Sequence, residues 1–374
     1  MKLQSVRIRN FKAIIDSGVV RLGPLTVFIG NNGSGKSSLI EGMETYRDIV
    51  FGGLDGAMQR WRGIEHARHK GQEAKERAGK MVNPIRFEFS LGDQPRNMRR
   101  LEMEVSNDPA ANKMFISRER IFDKNGTIYG KDQPGVVNLP GYSIFSTSQA
   151  GPERVREIGH VADWQFLSLA PERMGMPILQ RRTAGGVRLA RDGSNIADFL
   201  LDLRQQDANA FNGIVETMTY VLPYARDLQP SVTSELERKA YLQLTEADFK
   251  IPGWMLSTGT LRMLALLALL RHPNPPPLIV VEEIENGLDP RSIHLLVEEI
   301  RTAVLTGVTQ VVLTTHSPYL LDLLKLEHLV LVERNFRGEP RFSRPANNER
   351  LQAWAQEFAP GKLYTMGSLS EAPK

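Results

Sequence analysis

The chain of 374 residues has no cysteine, which excludes disulfides, thiolate metal sites and iron–sulfur clusters. No apolar run reaches the roughly 18–20 residues that a membrane-spanning helix needs. Met1-Lys2-Leu3-Gln4-Ser5 runs straight into a strand pattern, so no signal peptide is expected. Internal repeats and low-complexity segments are missing, and no heptad pattern is sustained over several turns, which argues against a long coiled coil. His66, His69, His160, His272, His294 and His328 are scattered and suggest no metal site. Excess charge is small too: the net charge is +4 and the pI about 9.2. With 41% hydrophobic residues the chain has enough apolar side chains for a real core. Its length suits about two domains, and these features together predict a cytoplasmic protein.

Against this plain background stand five short motifs in a fixed order. Gly30-Asn31-Asn32-Gly33-Ser34-Gly35-Lys36-Ser37 matches the phosphate-binding pattern GxxxxGK[ST]. The β-branched run Leu25–Ile29 before it reads as a buried strand, and Ser37-Ser38-Leu39 after it as a helix start. Glycines there let backbone N–H groups turn inward onto phosphate oxygens, and the helix N-terminus adds its positive end. Lys36 is placed to reach the β- and γ-phosphates of ATP, and Ser37 to ligate Mg²⁺.

Downstream, Leu278-Ile279-Val280-Val281 follows the Pro275-Pro276-Pro277 breaker and ends in Glu282-Glu283. Carboxylates at the C-terminal end of a parallel strand point into a ligand crevice. Glu282 would hold Mg²⁺ through water, and Glu283 would polarise the attacking water as general base. A charged flank after a core strand is the ordinary alternative. His316 closes a third apolar strand, Gln310–Thr315, where it can hydrogen-bond the γ-phosphate. Ser257 and Gly259 open an apolar helix that runs to Leu270, with Ser257 as N-cap. Their phosphate would be a different one from that bound at Lys36; a capped, buried helix is the alternative.

With Gly287-Leu288-Asp289-Pro290, the set resembles the ABC-type ATPases of the SMC, RecF and OLD group. There the motifs are the Walker A loop, signature, Walker B, D-loop and H-loop. Val6-Arg7-Ile8-Arg9-Asn10-Phe11-Lys12-Ala13-Ile14 resembles the start of that group as well. The likeness covers residues 1–45 and 250–335. It implies an α/β fold, an ABC-type P-loop ATPase head with a mixed or parallel sheet and a helical lid insertion. It also implies a head-to-head homodimer sandwiching two ATP molecules, each bound with Mg²⁺. Asn31, Asn32, Gly33, Ser34, Gly35, Lys36, Ser37 and Ser38 would hold the nucleotide in one subunit. Ser257 and Gly259 of the other would touch its γ-phosphate, and Asp289 would lie at the dimer seam. Two departures stand out. Walker B in the group has Asp where this chain has Glu282. The glutamine that senses the γ-phosphate beside Mg²⁺ has only Gln149 as a candidate, and a surface glutamine is the alternative.

By motif position the ATPase core would comprise residues 1–45 and 250–374, split by an insertion at 46–249. That insertion reads as a basic helix (53–80), short strands at Ile85–Leu91, Leu101–Val105, Met114–Ile121 and Thr127–Tyr129, and a helical part (151–222). About 58 residues follow His316 and contain no Asp-x-Asp, so the Toprim nuclease domain of OLD proteins is not expected. The resulting expectation is an ATP-gated dimer acting in a DNA-directed process such as phage defence or repair, with a separate nuclease or effector. The cluster Arg60, Arg62, Arg68, Lys70, Lys75, Arg77 and Lys80 could follow a DNA backbone, or be a solvated face. A slow ATP-dependent scaffold and a transporter ATPase subunit are the other readings. The transporter reading would need a membrane partner, whereas the leading one needs no membrane.

Overall fold

The computed structural model describes residues 1–70, 83–108, 110–130, 139–145, 160–182, 186–234 and 236–369. The fold is α/β, and the chain divides into two compact units. One comprises residues 1–164, 326–358 and 363–374, the other residues 165–325 and 359–362.

In the first unit a seven-stranded antiparallel sheet is built around β1 (Leu3–Phe11) and β5 (Ile85–Leu91), whose neighbours are β2 (Ile14–Asp16), β3 (Val20–Arg21), β6 (Arg99–Asp108), β7 (Lys113–Asp123) and β8 (Gly126–Gly130). Every second residue of β5 is buried, as one covered face of an antiparallel sheet requires. The strands expected inside the insertion are therefore continuous with the N-terminal strand rather than a separate patch. The helix Lys36–Gln59 lies on this sheet through Tyr46, whose ring centroid is 4.5 Å from that of Phe89. Gly42 lets it come close: a Cβ there would stand 2.6 Å from Ile8 Cδ1. The fully buried β4 (Leu25–Ile29) pairs in parallel with β16 (Leu329–Arg334), which pairs antiparallel with β17 (Pro340–Ser343).

The basic helix expected at 53–80 does not form as such among the described residues. Helix Lys36–Gln59 is kinked at Gly53 (φ 82°) and ends where Arg62 (φ 58°) and Gly63 (φ 117°) take left-handed backbone. A short helix, Ile64–Ala67, follows, and Arg68 returns to bridge Phe11. Lys75, Arg77 and Lys80 lie outside the described residues, as does Gln149.

In the second unit β14 (Leu278–Val281) runs parallel between β15 (Gln310–Thr314) and β9 (Gln165–Leu167). All of β14 and β15 is buried, which is why their sequences are continuous apolar runs. The reading of 151–222 as helical misses β9, a three-residue strand too short to show a period. A further sheet joins β10 (Ile178–Leu179), β11 (Ala225–Val232), β12 (Lys239–Glu246) and β13 (Phe249–Pro252). Its covered face is made by alternate residues such as Leu228, Ala240, Leu242 and Leu244. Helices Ile196–Gln206, Ala208–Val221, Thr258–Leu270 and Pro290–Leu305 are the longer helices of this unit. Among the described residues no helix is long and apolar enough to cross a membrane.

Candidate functional site

The phosphate-loop motif lies wholly in the first unit. Gly30, Gly33 and Gly35 all have positive φ, at 143°, 73° and 116°. Two of these glycines are also demanded by space. A Cβ on Gly30 would sit 2.1 Å from the Val332 carbonyl oxygen of β16, and one on Gly35 would sit 2.6 Å from Pro340 of β17. Strands far along the chain thus shape the loop. Arg334, at the end of β16, donates from Nε to the Gly33 carbonyl at 2.8 Å and from an Nη to the Gly338 carbonyl at 2.6 Å. Burial raises the pKa of the Tyr364 hydroxyl, and a backbone hydrogen bond from Gly30 opposes that rise. Neither Arg334 nor Tyr364 is visible as a loop support in the sequence.

Inside the turn, Lys36 is buried and its Nζ donates to the carbonyls of Gly30 and Asn31 at 2.6 and 3.1 Å. Helix Lys36–Gln59 starts at Gly35 with no side-chain cap, so its first N–H groups face the loop. The Ser34 hydroxyl is buried without a partner. Asn31, Asn32, Gly33 and Ser37 are exposed, while Gly35 and Ser38 are buried. An uncapped helix N-terminus, an orphaned hydroxyl and a buried ammonium make a cradle that fits a phosphate.

The other four motifs converge within the second unit. Glu283 follows β14 with φ 48°, a left-handed conformation that a non-glycine side chain resists. Its N–H donates to the buried Thr314 hydroxyl of β15 at 2.8 Å, and Ile284 N–H donates to the Thr314 carbonyl at 3.3 Å. That pair of bonds sets where the chain turns after the strand and leaves the Glu283 side chain exposed. Glu282 is half-buried, and Arg191 approaches its Oε1 at 3.4 Å. Glu285 accepts the His316 N–H at 2.7 Å, tying the turn after β14 to the turn after β15. Its second carboxylate oxygen is buried without a partner.

Ser257 caps helix Thr258–Leu270, accepting from the Thr260 N–H at 3.1 Å, and it remains exposed. Gly259 abuts the D-loop of its own chain: a Cβ there would lie 2.4 Å from the Gly287 carbonyl oxygen. Asp289 caps helix Pro290–Leu305, accepting from Arg291 N–H, Ser292 N–H and the Ser292 hydroxyl. The Ser292 hydroxyl first, and these N–H groups with it, hold the Asp289 carboxyl below the usual carboxylate range. Arg262 donates to the Leu169 carbonyl at 3.0 Å. Burial pulls its guanidinium down from the ordinary value, against the opposing pull of Glu172 and Glu283. Sequence reading identifies Glu282, Glu283 and His316 but not their supports Thr314, Glu285 and Arg191. Of these, Glu285 carried a signal, being the third acid of Glu282-Glu283-Ile284-Glu285.

Family models match stretches in both units. A family model described as "AAA domain, putative AbiEii toxin, Type IV TA system" matches residues 182–322, and another described as "AAA ATPase domain" matches residues 1–48. The chain is similar in fold to the SmcHead bound to the C-winged helix domain of ScpA, at 13% identity and a TM-score of 0.59, covering 92% of this chain and 98% of that one. Two stretches of the chain thus match models of AAA ATPase domains, and its fold is similar to that of SMC heads. A second head, the Smc head domain with an extended coiled coil bound to the C-terminal domain of ScpA derived from Pyrococcus furiosus, has a TM-score of 0.55 at 10% identity, covering 95% of this chain and 99% of that one. The Nod factor export ATP-binding protein I of Sinorhizobium fredii is 29% identical over 151 residues, 40% of this chain. The matched part spans 42% of that relative's length. The Gly30–Ser38 loop therefore lies in one compact unit, and Ser257, Gly259, Glu282, Glu283 and His316 lie in the other.

Proposed function

We propose that this chain binds and hydrolyses ATP as a head-to-head homodimer that gates a DNA-directed process, phage defence or repair, by controlling a separate nuclease or effector. Residues 46–249 would act as the lid insertion, and the protein would work in the cytoplasm. The observation that carries the ATPase part is the cradle at Gly30–Ser38, with its uncapped helix start, buried Lys36 and unpaired Ser34 hydroxyl. Lys36 neutralises the phosphates, and the N–H groups of the helix start orient them. Glu283 takes a proton from the attacking water as its oxygen bonds to the γ-phosphorus, the bond from that phosphorus to the oxygen shared with the β-phosphate breaks, and ADP and phosphate leave. His316 donates to the γ-phosphate. Mg²⁺ fits the donors present, because the Ser37 hydroxyl and the Glu282 carboxylate are hard oxygens suited to an ion that keeps several waters and phosphate oxygens. When bound it would neutralise charge developing between the β- and γ-phosphates. Ser37 would hold it directly and Glu282 through water.

The dimer follows from the resemblance: Ser257 and Gly259 serve the nucleotide held at the partner's cradle, and Asp289 lies at the seam. Mixing two inactive proteins tests it. A Lys36→Ala chain keeps its signature and a Ser257→Arg chain keeps its cradle, so the mixture regains one competent site per heterodimer. Heterodimers that form and stay as inactive as either parent would overturn the composite site. The export protein's name favours one second reading, a transporter ATPase subunit. Purification of the native complex separates the two: a nuclease or DNA supports the first, an integral membrane protein the second.

A further inference from the structure

We propose that Arg191 is a positioning residue for Glu282: its guanidinium competes with the Mg²⁺ shell for that carboxylate and so sets how strongly Mg²⁺ tightens nucleotide binding. The inference rests on the reading of Glu282 as a magnesium ligand through water.

Residues 186–193 form no regular element, yet their backbone is pinned. Gln165 Nε2 donates to the Leu189 carbonyl at 2.8 Å, Ser168 N–H to the Arg191 carbonyl at 2.8 Å, and Ala170 N–H to the Asp192 carbonyl at 3.0 Å. Asn195 closes the turn from the far side, accepting from Ala190 N–H and donating to the Arg188 carbonyl. Val187 N–H donates to Asp202 at 2.9 Å, and Arg173 pairs with Asp192 at 2.7 Å. Leu189 is buried in the same strap. The strap is therefore moored to β9 and the residues after it, and β9 pairs with β14, the strand that ends in Glu282. Glu282 N–H itself donates to the Leu167 carbonyl of β9 at 3.2 Å. Glu282 stands just past β14 and Arg191 in a strap bonded to β9 and the residues after it, so the main chain holds the two side chains within reach of each other, at 3.4 Å.

The two ends of the pair differ in exposure, 40% for Arg191 and 17% for Glu282. A pair so open to water is a bias and not a lock. Drawing Glu282 toward a dication's water costs this pair and also brings like charges together. Without the guanidinium, this competitor for the Glu282 carboxylate is removed. The strap's own bonds use the Arg191 carbonyl, so they survive side-chain replacement.

The test measures affinity of the full chain for a fluorescent, non-hydrolysable ATP analogue in EDTA and in excess Mg²⁺. The quantity compared is the factor by which Mg²⁺ tightens binding, which needs no turnover. In Arg191→Gln and in Arg191→Met that factor should rise about three- to fivefold over wild type, the scale of one partly exposed charge pair. Affinity in EDTA should stay the same. Arg191→Lys, which restores the charge, should return the factor to within about twofold of wild type. A factor that is unchanged or lower in both Arg191→Gln and Arg191→Met would overturn the proposal. Glu282→Gln separates the two claims. If it keeps the whole magnesium effect, the assignment of Glu282 to the metal is at fault; if it loses that effect while Arg191→Gln changes nothing, only the role of Arg191 fails.

Discussion

The loop at residues 30–38 is shaped by main chain, whereas the cluster drawn from residues 257–317 is shaped by side chains. In the loop, three glycines at positive φ and an uncapped helix start set the geometry. In the cluster, a strained Glu283 is held through Thr314, Glu285 reaches across to His316, and Arg191 attends Glu282. A main-chain site must be contiguous, because successive N–H groups have to point the same way, and it leaves a contiguous motif. A side-chain site can be gathered from several strand ends, and the residues that hold it in place are of common types at unrelated positions. The first kind resists substitution sterically; the second resists it through hydrogen bonds.

The sharpest test of this contrast compares one charge from each region. Lys36→Ala should abolish nucleotide binding, measured by equilibrium titration. Glu283→Gln should keep binding while turnover falls at least about 100-fold, the scale of a lost general base. Wild-type turnover in Glu283→Gln would remove Glu283 from the role of base.

Next in size is the steric contrast within the loop. Gly30→Ala would push a Cβ to 2.1 Å from the Val332 oxygen, so loss of about 3 kcal/mol of folding stability, or of the loop's conformation, is expected. Gly33→Ala meets open space and carries only the left-handed backbone cost, about 1 kcal/mol. Denaturant unfolding of both proteins checks this; equal losses would mean that β16 does not shape the loop.

Smaller still is Thr314→Val, which keeps the shape of the buried side chain but leaves the Glu283 N–H unpaired. Stability should fall by about 1–3 kcal/mol, and turnover should fall more than nucleotide affinity. A drop in affinity alone would show that Thr314 does not act through Glu283.

A separate effect concerns pH and the first unit only. Burial, then the N-terminal ammonium, lower the pKa of His160 from 6.5 to about 4. The folded state thus binds this proton less readily than the unfolded state. The associated stability is full above pH 6.5 and lost as pH falls toward about 4, with about 3 kcal/mol at stake. His160→Gln should flatten the dependence of unfolding free energy on pH across that window; an unchanged slope would locate the dependence elsewhere.

The contrast also explains what could be read from the chain. Leu25–Ile29, Leu278–Val281 and Gln310–Thr314 were legible as buried strands because continuous short apolar runs suit strands covered on both faces. β5 was legible by its alternation. β12 also alternates buried and half-buried residues, so its signal was present and went unread, whereas β9 is too short to carry one. The basic stretch after residue 53 looked like one helix because helix propensity does not register a left-handed Arg62, although Gly63, a poor helix former, was a readable break.

By itself, the sequence determined the phosphate-loop motif, the acids at the end of β14, the cap Ser257 and the α/β class. Each of these depends on neighbours within a few residues, through strand periodicity or the reach of a cap. Tertiary structure alone decided that Val332 and Pro340 close around the loop glycines, that Arg334 clamps Gly33, that Gly259 needs no Cβ because Gly287 lies against it, and that Arg191 reaches Glu282. The Arg334–Gly33 bond alone joins residues 301 positions apart. Local propensity carries no record of pairings that arise only when separate strands and loops pack side by side.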